Sequence, residues 1–350
     1  MSKLMRSRWR LFVVVVLLST LTGVVEGYFA HYEASHTRAE HVLGSAMNWF
    51  IGSSLISAFE IFFLQSRYGT GIRRLHFLTA IAVKMLLILI TVIFVGLLGR
   101  LVIHGQVALD FLQEPNFYRI LGIVFVVIVT LQTITQIVRI IGGRVLINFI
   151  LGKYHRPVRE DTLFLFLDLA GSTALAEDLG DVGVQTMITD FFFDITEPII
   201  EHEGEIHRYV GDQVVVTWPM GTGPDNARAV ICCFAIIDFI EARAQVYQKK
   251  FGVVPRFRIG LHGGPVVISE CGDQKQELSY FGDTVNTAAR IEQQCKTLDE
   301  PLLISADLLA QTDLPDEFQS TRLGEFHLKG RHGNTELFSI TRRSSQGQAG

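Results

Sequence analysis

The sequence is poor in cysteine, with 4 among 350 residues, and no two of them form a Cys-x-x-Cys pair. No cysteine spacing typical of a metal site occurs, so we expect free thiols in a reducing compartment. The chain also lacks an excess of charge of either sign, because its formal net charge is only -4. This near balance argues against a nucleic-acid partner.

Charged residues are scarce in the N-terminal part of the chain, where hydrophobic residues are concentrated. Four apolar segments occupy residues 11–25, 43–64, 77–98 and 120–141. Each approaches the roughly 20 residues that a helix needs to cross a bilayer, although the first is shorter. We therefore predict an all-α transmembrane domain of about four helices over residues 1–142, embedded in a lipid bilayer.

Basic residues predict the orientation of these segments. They cluster before the first segment, between the second and third, and after the fourth: Lys3, Arg6, Arg8, Arg10, Arg67, Arg73, Arg74, Arg139, Arg144, Lys153 and Arg156. Basic loops stay in the cytoplasm, so both chain ends are expected there. The first segment also has features of a cleaved signal peptide, and the C-terminal part stays inside in either case. We expect a multi-pass protein of the cell membrane, either an inner or a plasma membrane.

Two ionisable residues, Glu60 and Lys84, fall within the apolar segments. Such residues are costly at membrane depth and often indicate function. The alternative is that Glu60 lies near a helix end and that Lys84 extends its ammonium group to the membrane surface. Whichever holds, the regulator that the membrane domain senses is unknown from the sequence.

From residue 161 the apolar pattern becomes that of an α+β domain. "TLFLFLDL" at 162–169 predicts a buried strand, and "AGST" then opens a helix with Ser172 or Thr173 as its N-cap. The later pattern predicts a helix over 181–203 broken at Pro198, a hairpin over 205–218, a helix over 225–251 and strands at 257–261 and 265–269. A short strand then leads into a helix through "FGDTVNTAARIEQQC", and two last strands lie near 325–328 and 336–340. This β-α-β-β-α-β order with additions predicts a ferredoxin-like sandwich over 161–342. A linker helix over 143–160 precedes it, and a disordered tail over 343–350 follows.

Two aspartates lie at strand ends that a sheet would bring together. Asp168 ends the first strand, and Asp212 lies at the tip of the hairpin in "EIHRYVGDQVVVTW". Two neighbouring carboxylates repel each other unless a cation lies between them. Mg²⁺ and Mn²⁺ prefer such oxygen ligands together with substrate phosphates, which the helix N-terminus after "AGST" can also bind. The pattern therefore predicts a two-metal phosphoryl-transfer site.

A second cluster lies in "SYFGDTVNTAAR". Asn286 and Arg290 are four residues apart on one predicted helix, so their side chains share a face. An asparagine can orient a ribose, and an arginine can neutralise charge that develops on a transferring phosphoryl group.

Together these motifs resemble the catalytic domain of class III nucleotidyl cyclases over residues 160–342. "FLFLDLAGST" and "YVGDQVVVTW" are similar to the two metal motifs of the family, "GDTVNTAAR" to its transition-state motif and "FHLKG" to a segment whose lysine meets the terminal phosphates. The resemblance implies metal ligands at Asp168, Leu169 and Asp212, and two Mg²⁺ or Mn²⁺ ions. It also implies that Gly171, Ser172, Thr173 and Lys329 bind substrate and that Asn286 and Arg290 are catalytic.

Family members act as head-to-tail dimers, so the resemblance implies a homodimer with two shared sites. The metal aspartates would come from one chain, and Asn286, Arg290 and Lys329 from the other. The implied reaction converts ATP to cyclic AMP and pyrophosphate.

The base-reading positions depart from the usual pattern. Adenylate cyclases usually carry a lysine four residues before the second metal aspartate, and here Arg208 occupies that position. The other reader is Ser279. Arg208 can donate to adenine N1, but a guanidinium also suits guanine O6 and N7. We expect an adenylate cyclase, with a guanylate or relaxed-specificity cyclase as one alternative and a catalytically silent scaffold as another.

Overall fold

The computed structural model describes residues 3–30, 38–64, 77–104, 151–274, 276–328 and 333–343, with isolated positions between 69 and 148. The chain divides into two compact units, Met1–Ile141 and Gly142–Gly350. We describe each unit by itself.

Three long helices are present among the described residues of the first unit. They are α1 (Lys3–Ala30), α2 (Arg38–Ala58), which continues into a π-helical turn at Phe59–Phe63, and α3 (Phe77–His104). Three segments, Arg8–Phe29, Val42–Phe63 and Leu78–Leu98, are long and apolar enough to cross a membrane. They agree with the first three predicted segments. The fourth, at 120–141, lies mostly outside the described residues.

Glu60 and Lys84 form an ion pair between the π-helical turn and α3. The Lys84 ammonium nitrogen lies 2.8 Å from one carboxylate oxygen of Glu60 and 3.0 Å from the other. Only 8% of the Lys84 side chain is exposed, and its ammonium group is paired with Glu60. That Lys84 extends to the membrane surface stays a prediction. The ion pair therefore links the π-helical turn to α3.

The second unit is built on one sheet, with four helices and one short helical turn. The strands are β1 (Val158–Leu169), β2 (Glu205–Val210), β3 (Gln213–Pro219), β4 (Phe257–Cys271), β5 (Glu277–Phe281), β6 (Leu302–Ser305), β7 (Phe318–His327) and β8 (Asn334–Arg342). The helices are α4 (Ser172–Glu201), α5 (Pro224–Ala242), α6 (Ala244–Phe251), α7 (Asp283–Leu298) and the short α8 (Ala306–Leu309).

The strand order confirms the ferredoxin-like prediction. The sheet runs β2-β3-β1-β4-β6-β8-β7, and β5 pairs with β4 outside this path. The first four strands thus have the β4-β1-β3-β2 arrangement of a β-α-β-β-α-β fold. The remaining elements extend the sheet beyond β4.

Both faces of the sheet are covered, which explains the continuous apolar run in β1. Leu163, Leu165 and Leu167 pack in one core with residues of α4, α5 and α6. Phe164 and Phe166 point to the other face and pack in a core that includes Ala288 of α7. A strand that is buried on both faces needs apolar residues at every position.

Several local predictions are wrong. Gly171, not Ser172 or Thr173, is the N-cap of α4, and it makes no side-chain capping bond. The helix continues through Pro198 to Glu201, because Pro198 is buried in its packed face. The strands predicted at 257–261 and 265–269 are one strand, since β4 pairs with β1 across the glycines at 263 and 264. The predicted helix at 225–251 is two helices, and β6 was not predicted.

Gly260 of β4 allows α7 to lie close to the sheet. A Cβ atom at this position would lie 2.4 Å from the backbone nitrogen of Glu292 and 2.7 Å from its Cα atom. Such distances are below van der Waals contact, and the atoms belong to helix backbone. Only glycine therefore fits between β4 and the helix that carries Asn286 and Arg290.

We predict that Gly260→Ala destabilises the protein by about 2 kcal/mol, because α7 must move away from β4. Thermal unfolding of the full chain in detergent would measure the effect. Gly333→Ala is the matched control, since an added Cβ atom there meets nothing within 4 Å. Equal melting temperatures for the two variants would contradict the close packing of α7.

Candidate active site

The sheet register brings Asp168 and Asp212 to the same edge. Asp168 of β1 lies opposite Gln213 of β3, and Asp212 is the residue before Gln213 in the β2–β3 turn. Gly211, the other turn residue, has a φ of 63°, a backbone conformation that glycine adopts with least strain. The two predicted metal aspartates are therefore neighbours in space.

The environment of Asp168 disfavours its charged form. The pKa of this carboxyl is raised from 3.8 to about 6, mainly by burial and also by the nearby negative charge of Asp212. The guanidinium of Arg258, which lies opposite Asp168 on β4, lowers the pKa and offsets part of this effect. The negative charges of Asp168 and Asp212 therefore exceed the one positive charge, that of Arg258, that compensates them in these pKa shifts.

Glu292 adds a third carboxyl group to this region. It lies on α7, is only 4% exposed, and was not predicted from the sequence. Burial raises its pKa to about 7, with smaller contributions in the same direction from Asp168 and Asp212 and an opposing one from Arg258. The available sequence signal was a carboxylate between Ile291 and Cys295 on the buried face of an amphipathic helix.

This charge distribution fits a divalent cation. Asp168 and Asp212 offer carboxylate oxygens, the ligands that Mg²⁺ and Mn²⁺ prefer, and their repulsion is relieved when a cation lies between them. Leu169 can offer only its backbone carbonyl. Across the described residues, no group of three or more His, Cys, Asp or Glu side chains has metal-binding geometry. Two protein carboxylates would thus need substrate phosphates to complete the coordination.

Gly171, Ser172 and Thr173 form the start of α4, directly after β1. Gly171 has a φ of 76°, which turns the chain from the strand into the helix. The first amide N–H groups of a helix have no partner within it and bind anions. Gly180, with a φ of 71° and a ψ of 162°, kinks α4 further along. The N-terminus of α4 therefore lies next in sequence to the Asp168 edge.

Asn286 and Arg290 lie one turn apart on α7, as predicted. Asn286 is exposed, and its side-chain nitrogen lies 3.5 Å from the carbonyl oxygen of Gly282. Arg290 is partly buried. Within one chain, the charged residues that shift the pKa of Asp168 are Asp212 and Arg258, and Arg290 is not among them.

Another predicted site residue, Lys329, lies outside the described residues.

Arg208 and Ser279 lie on strands that approach each other. Arg208 is on β2 and Ser279 is on β5, which pairs with the end of β4. The Arg208 guanidinium lies 4.0 Å from the carboxylate of Glu277. Glu277 and Ser279 are two residues apart on a strand, so they share a face. The guanidinium therefore approaches the face of β5 that carries Ser279.

Comparison with known proteins identifies the family. The pattern of the adenylate and guanylate cyclase catalytic domain matches residues 155–342. The chain belongs to this family. The match begins just before β1 and ends with β8, so it covers strands β1 to β8 and helices α4 to α8 of the second unit.

Two curated relatives illustrate the range of the family. Adenylate cyclase 2 of Rhizobium meliloti is 42% identical over 214 residues, which are 61% of this chain and 59% of the relative. A receptor-type guanylate cyclase of Caenorhabditis elegans is 27% identical over 215 residues, covering 55% of this chain and 18% of the relative. The chain thus spans less than two thirds of the length of either relative.

A solved structure shows the same fold. A bacterial light-regulated adenylyl cyclase superposes with a TM-score of 0.52 at 22% identity, over 62% of this chain and 65% of that chain. The shared fold is that of the cyclase catalytic domain.

We predict that Asp168→Asn stabilises the protein at about pH 8 in the presence of a chelator. The folded pKa of about 6 exceeds the ordinary value of 3.8, so ionisation of Asp168 opposes folding above about pH 6. The neutral amide removes this effect, by on the order of 1 kcal/mol after allowance for solvent screening. The gain should shrink as the pH falls through about 6 and vanish below about 4.

Thermal unfolding of the full chain over this pH range would test the prediction. The exposed Asp316 provides a control, since Asp316→Asn should leave the melting temperature unchanged at each pH. A stability difference between wild type and Asp168→Asn that does not depend on pH would contradict the raised pKa.

Proposed function

We propose that the protein is a membrane-bound adenylate cyclase, which converts ATP to 3′,5′-cyclic AMP and pyrophosphate at sites shared between two identical chains. The observation that carries the proposal is the juxtaposition of Asp168 and Asp212 at one sheet edge, next to a helix N-terminus. The sequence match to an adenylate cyclase of Rhizobium meliloti supports it.

The proposed reaction is an in-line displacement at the α-phosphate. The ribose 3′ oxygen forms a bond to phosphorus, the bond between the α- and β-phosphates breaks, and the hydroxyl proton is released. When bound, two Mg²⁺ or Mn²⁺ ions would lower the pKa of the 3′ hydroxyl and stabilise the pyrophosphate leaving group. Asp168 and Asp212 would hold these ions, with the Leu169 carbonyl as a further ligand.

The other residues bind and orient the nucleotide. Amide groups at Gly171, Ser172 and Thr173 would contact its phosphates. Asn286 would orient the ribose, Arg290 would stabilise the charge that develops on the α-phosphoryl group, and Lys329 would meet the terminal phosphates. Arg208 and Ser279 would contact the purine ring.

Exposed apolar side chains support the proposed homodimer. Tyr209 is 47% exposed and Val210 is 54% exposed at the end of β2, while Phe281 is 55% exposed at the end of β5. All three flank strands that carry candidate site residues. Neighbouring exposed apolar residues are typical of surfaces that bind another protein. A head-to-tail partner would place its Asn286 and Arg290 opposite Asp168 and Asp212.

The three apolar helices of the first unit support membrane anchoring. We propose that the protein crosses the cell membrane several times, with the cyclase domain in the cytoplasm, because the basic residues flank the apolar segments on that side. A regulator of unknown identity would act on the membrane part.

The contacts of Arg208 favour one alternative, a guanylate or relaxed-specificity cyclase. A guanidinium can donate to guanine O6 and N7. The neighbouring Glu277 carboxylate could accept hydrogen bonds from the N–H groups of guanine, which adenine presents differently. We retain ATP as the preferred substrate because the residues expected of a guanylate cyclase, Glu at 208 and Cys at 279, are both absent.

We predict that the full chain in membranes forms cyclic AMP from ATP in the presence of Mn²⁺ and uses GTP less efficiently. Chromatographic analysis of both reactions would measure the two rates, with Asp168→Ala as the inactive control. Faster turnover of GTP would overturn the adenylate assignment. Failure to convert either nucleotide would overturn enzymatic function and favour the silent scaffold.

We predict that Asp168→Ala and Arg290→Ala are each inactive but restore activity when they are produced together. A mixed dimer contains one intact site, so random pairing should recover about a quarter of wild-type activity. Cyclic AMP formation in membranes that contain both chains in equal amounts would measure this recovery, with a different tag on each chain to confirm the equal amounts and the pairing.

The matched control combines Asp168→Ala with Asp212→Ala. Both residues belong to the same half of the site, so no mixed dimer regains an intact site. Equal activity in the two combinations, with both dimers formed, would contradict a site shared between chains.

A further inference from the structure

A β-bulge in β2 brings two consecutive side chains together. Ile206 pairs with Val216 and Arg208 pairs with Val215, so His207 is an extra residue without a partner in the register. Consecutive side chains of a regular strand point to opposite faces, and a bulge changes their direction. Here the Nε–H group of Arg208 donates a hydrogen bond to Nε2 of His207 at 2.9 Å.

Aromatic contacts hold the His207 ring in place. The ring packs edge-to-face against Tyr280 of β5, with 4.7 Å between ring centroids and an interplanar angle of 79°. Tyr280 in turn packs edge-to-face on Phe164, a fully buried residue of β1, at 5.4 Å. The imidazole that accepts the Arg208 hydrogen bond is thus connected to the core of the domain through two ring contacts.

The hydrogen bond requires a neutral imidazole. A guanidinium only donates hydrogen bonds, so Nε2 of His207 must be the nitrogen without a proton. The pKa of His207 is lowered to about 4, mainly by burial and also by the Arg208 charge, with an opposing effect of Glu277. His207 is therefore an acceptor at neutral pH.

The Arg208 guanidinium is oriented from two directions. His207 binds its Nε–H group, and its Nη2 atom lies 4.0 Å from the Glu277 carboxylate. Both Arg208 and Glu277 have nearly half of their side chains exposed, so their electrostatic attraction is screened by water. The His207 contact, at normal hydrogen-bond length, is the more directional of the two.

We propose that His207 is a positioning residue for base selection, which fixes the orientation of the Arg208 guanidinium toward the purine ring of the nucleotide. The inference rests on the proposed cyclase function and on the assignment of Arg208 as a base reader. An arginine has several rotatable bonds, so a bound Nε–H group reduces the orientations that its other N–H groups sample. Base recognition then depends on His207 although it need not touch the base.

Two substitutions of His207 separate its two contacts. His207→Phe keeps an aromatic ring against Tyr280 but removes the acceptor for Arg208. His207→Gln loses the ring but keeps a side-chain acceptor. Because one neutral hydrogen bond is lost, we expect His207→Phe to lower kcat/KM for ATP about fivefold, mainly through KM, and to reduce the preference for ATP over GTP. His207→Gln should recover part of both losses.

A double-mutant cycle with Arg208→Ala tests whether His207 acts through Arg208. The kinetic constants of the full chain in membranes are measured for ATP and GTP in wild type, His207→Phe, Arg208→Ala and the double variant. We expect His207→Phe to have no further effect once Arg208 is absent. An effect of equal size in both backgrounds would overturn the proposal, because it would reflect packing against Tyr280 alone.

The remaining outcomes are distinguishable. An active wild type in which His207→Phe changes neither KM nor nucleotide preference overturns the role of His207 and leaves the cyclase function standing. An active wild type in which Arg208→Ala leaves nucleotide preference unchanged overturns base reading by Arg208 and the inference with it. A wild type that converts neither nucleotide overturns the proposed function itself.

Discussion

Repulsion between carboxylates at one edge of the sheet is the constraint on which the candidate site depends. Antiparallel pairing of β1 with β3 sets Asp168 beside Asp212, and Glu292 of α7 adds a third carboxyl group to the same region. Among the described residues, Arg258 is the cation that lowers the pKa of both Asp168 and Glu292. The fold therefore holds these carboxylates close together, although their repulsion is unfavourable without a bound cation. Such a cluster is expected at a binding site, where residues serve binding rather than stability.

The parts of the fold that follow from local pattern were predictable. The apolar run of β1, the turn at Gly211 and the amphipathic pattern of α7 each depend on residues close in sequence, and the strand order followed from their succession. The parts that failed depend on distant partners. Pairing with β1 keeps β4 continuous through two glycines, and burial keeps α4 helical through Pro198. A sequence pattern shows the residue types, but it does not show the distant residues whose contacts decide the local structure.

The site shows the same division. The sequence could suggest Asp168, Asp212, Asn286 and Arg290 as candidates because each lies at a predictable strand end, turn or helix face. Arg258, Glu292 and His207 were missed because their importance comes from contacts across the sheet. Arg258 faces Asp168 only through the β1–β4 register, and Glu292 approaches β4 only because Gly260 has no side chain.

The residues proposed for chemistry and those proposed for base selection lie on structurally different parts of the domain. Asp168 lies on β1 inside the sheet, where a shift in register would move every neighbouring core residue, and Asp212 lies in the β2–β3 turn. Arg208 lies in a bulge of the edge strand β2, with 44% of its side chain exposed. Substitutions in a bulged edge strand disturb few packed neighbours, so base preference can change there without altering the metal site. A family whose members are named for both adenylate and guanylate cyclases is consistent with such a separation.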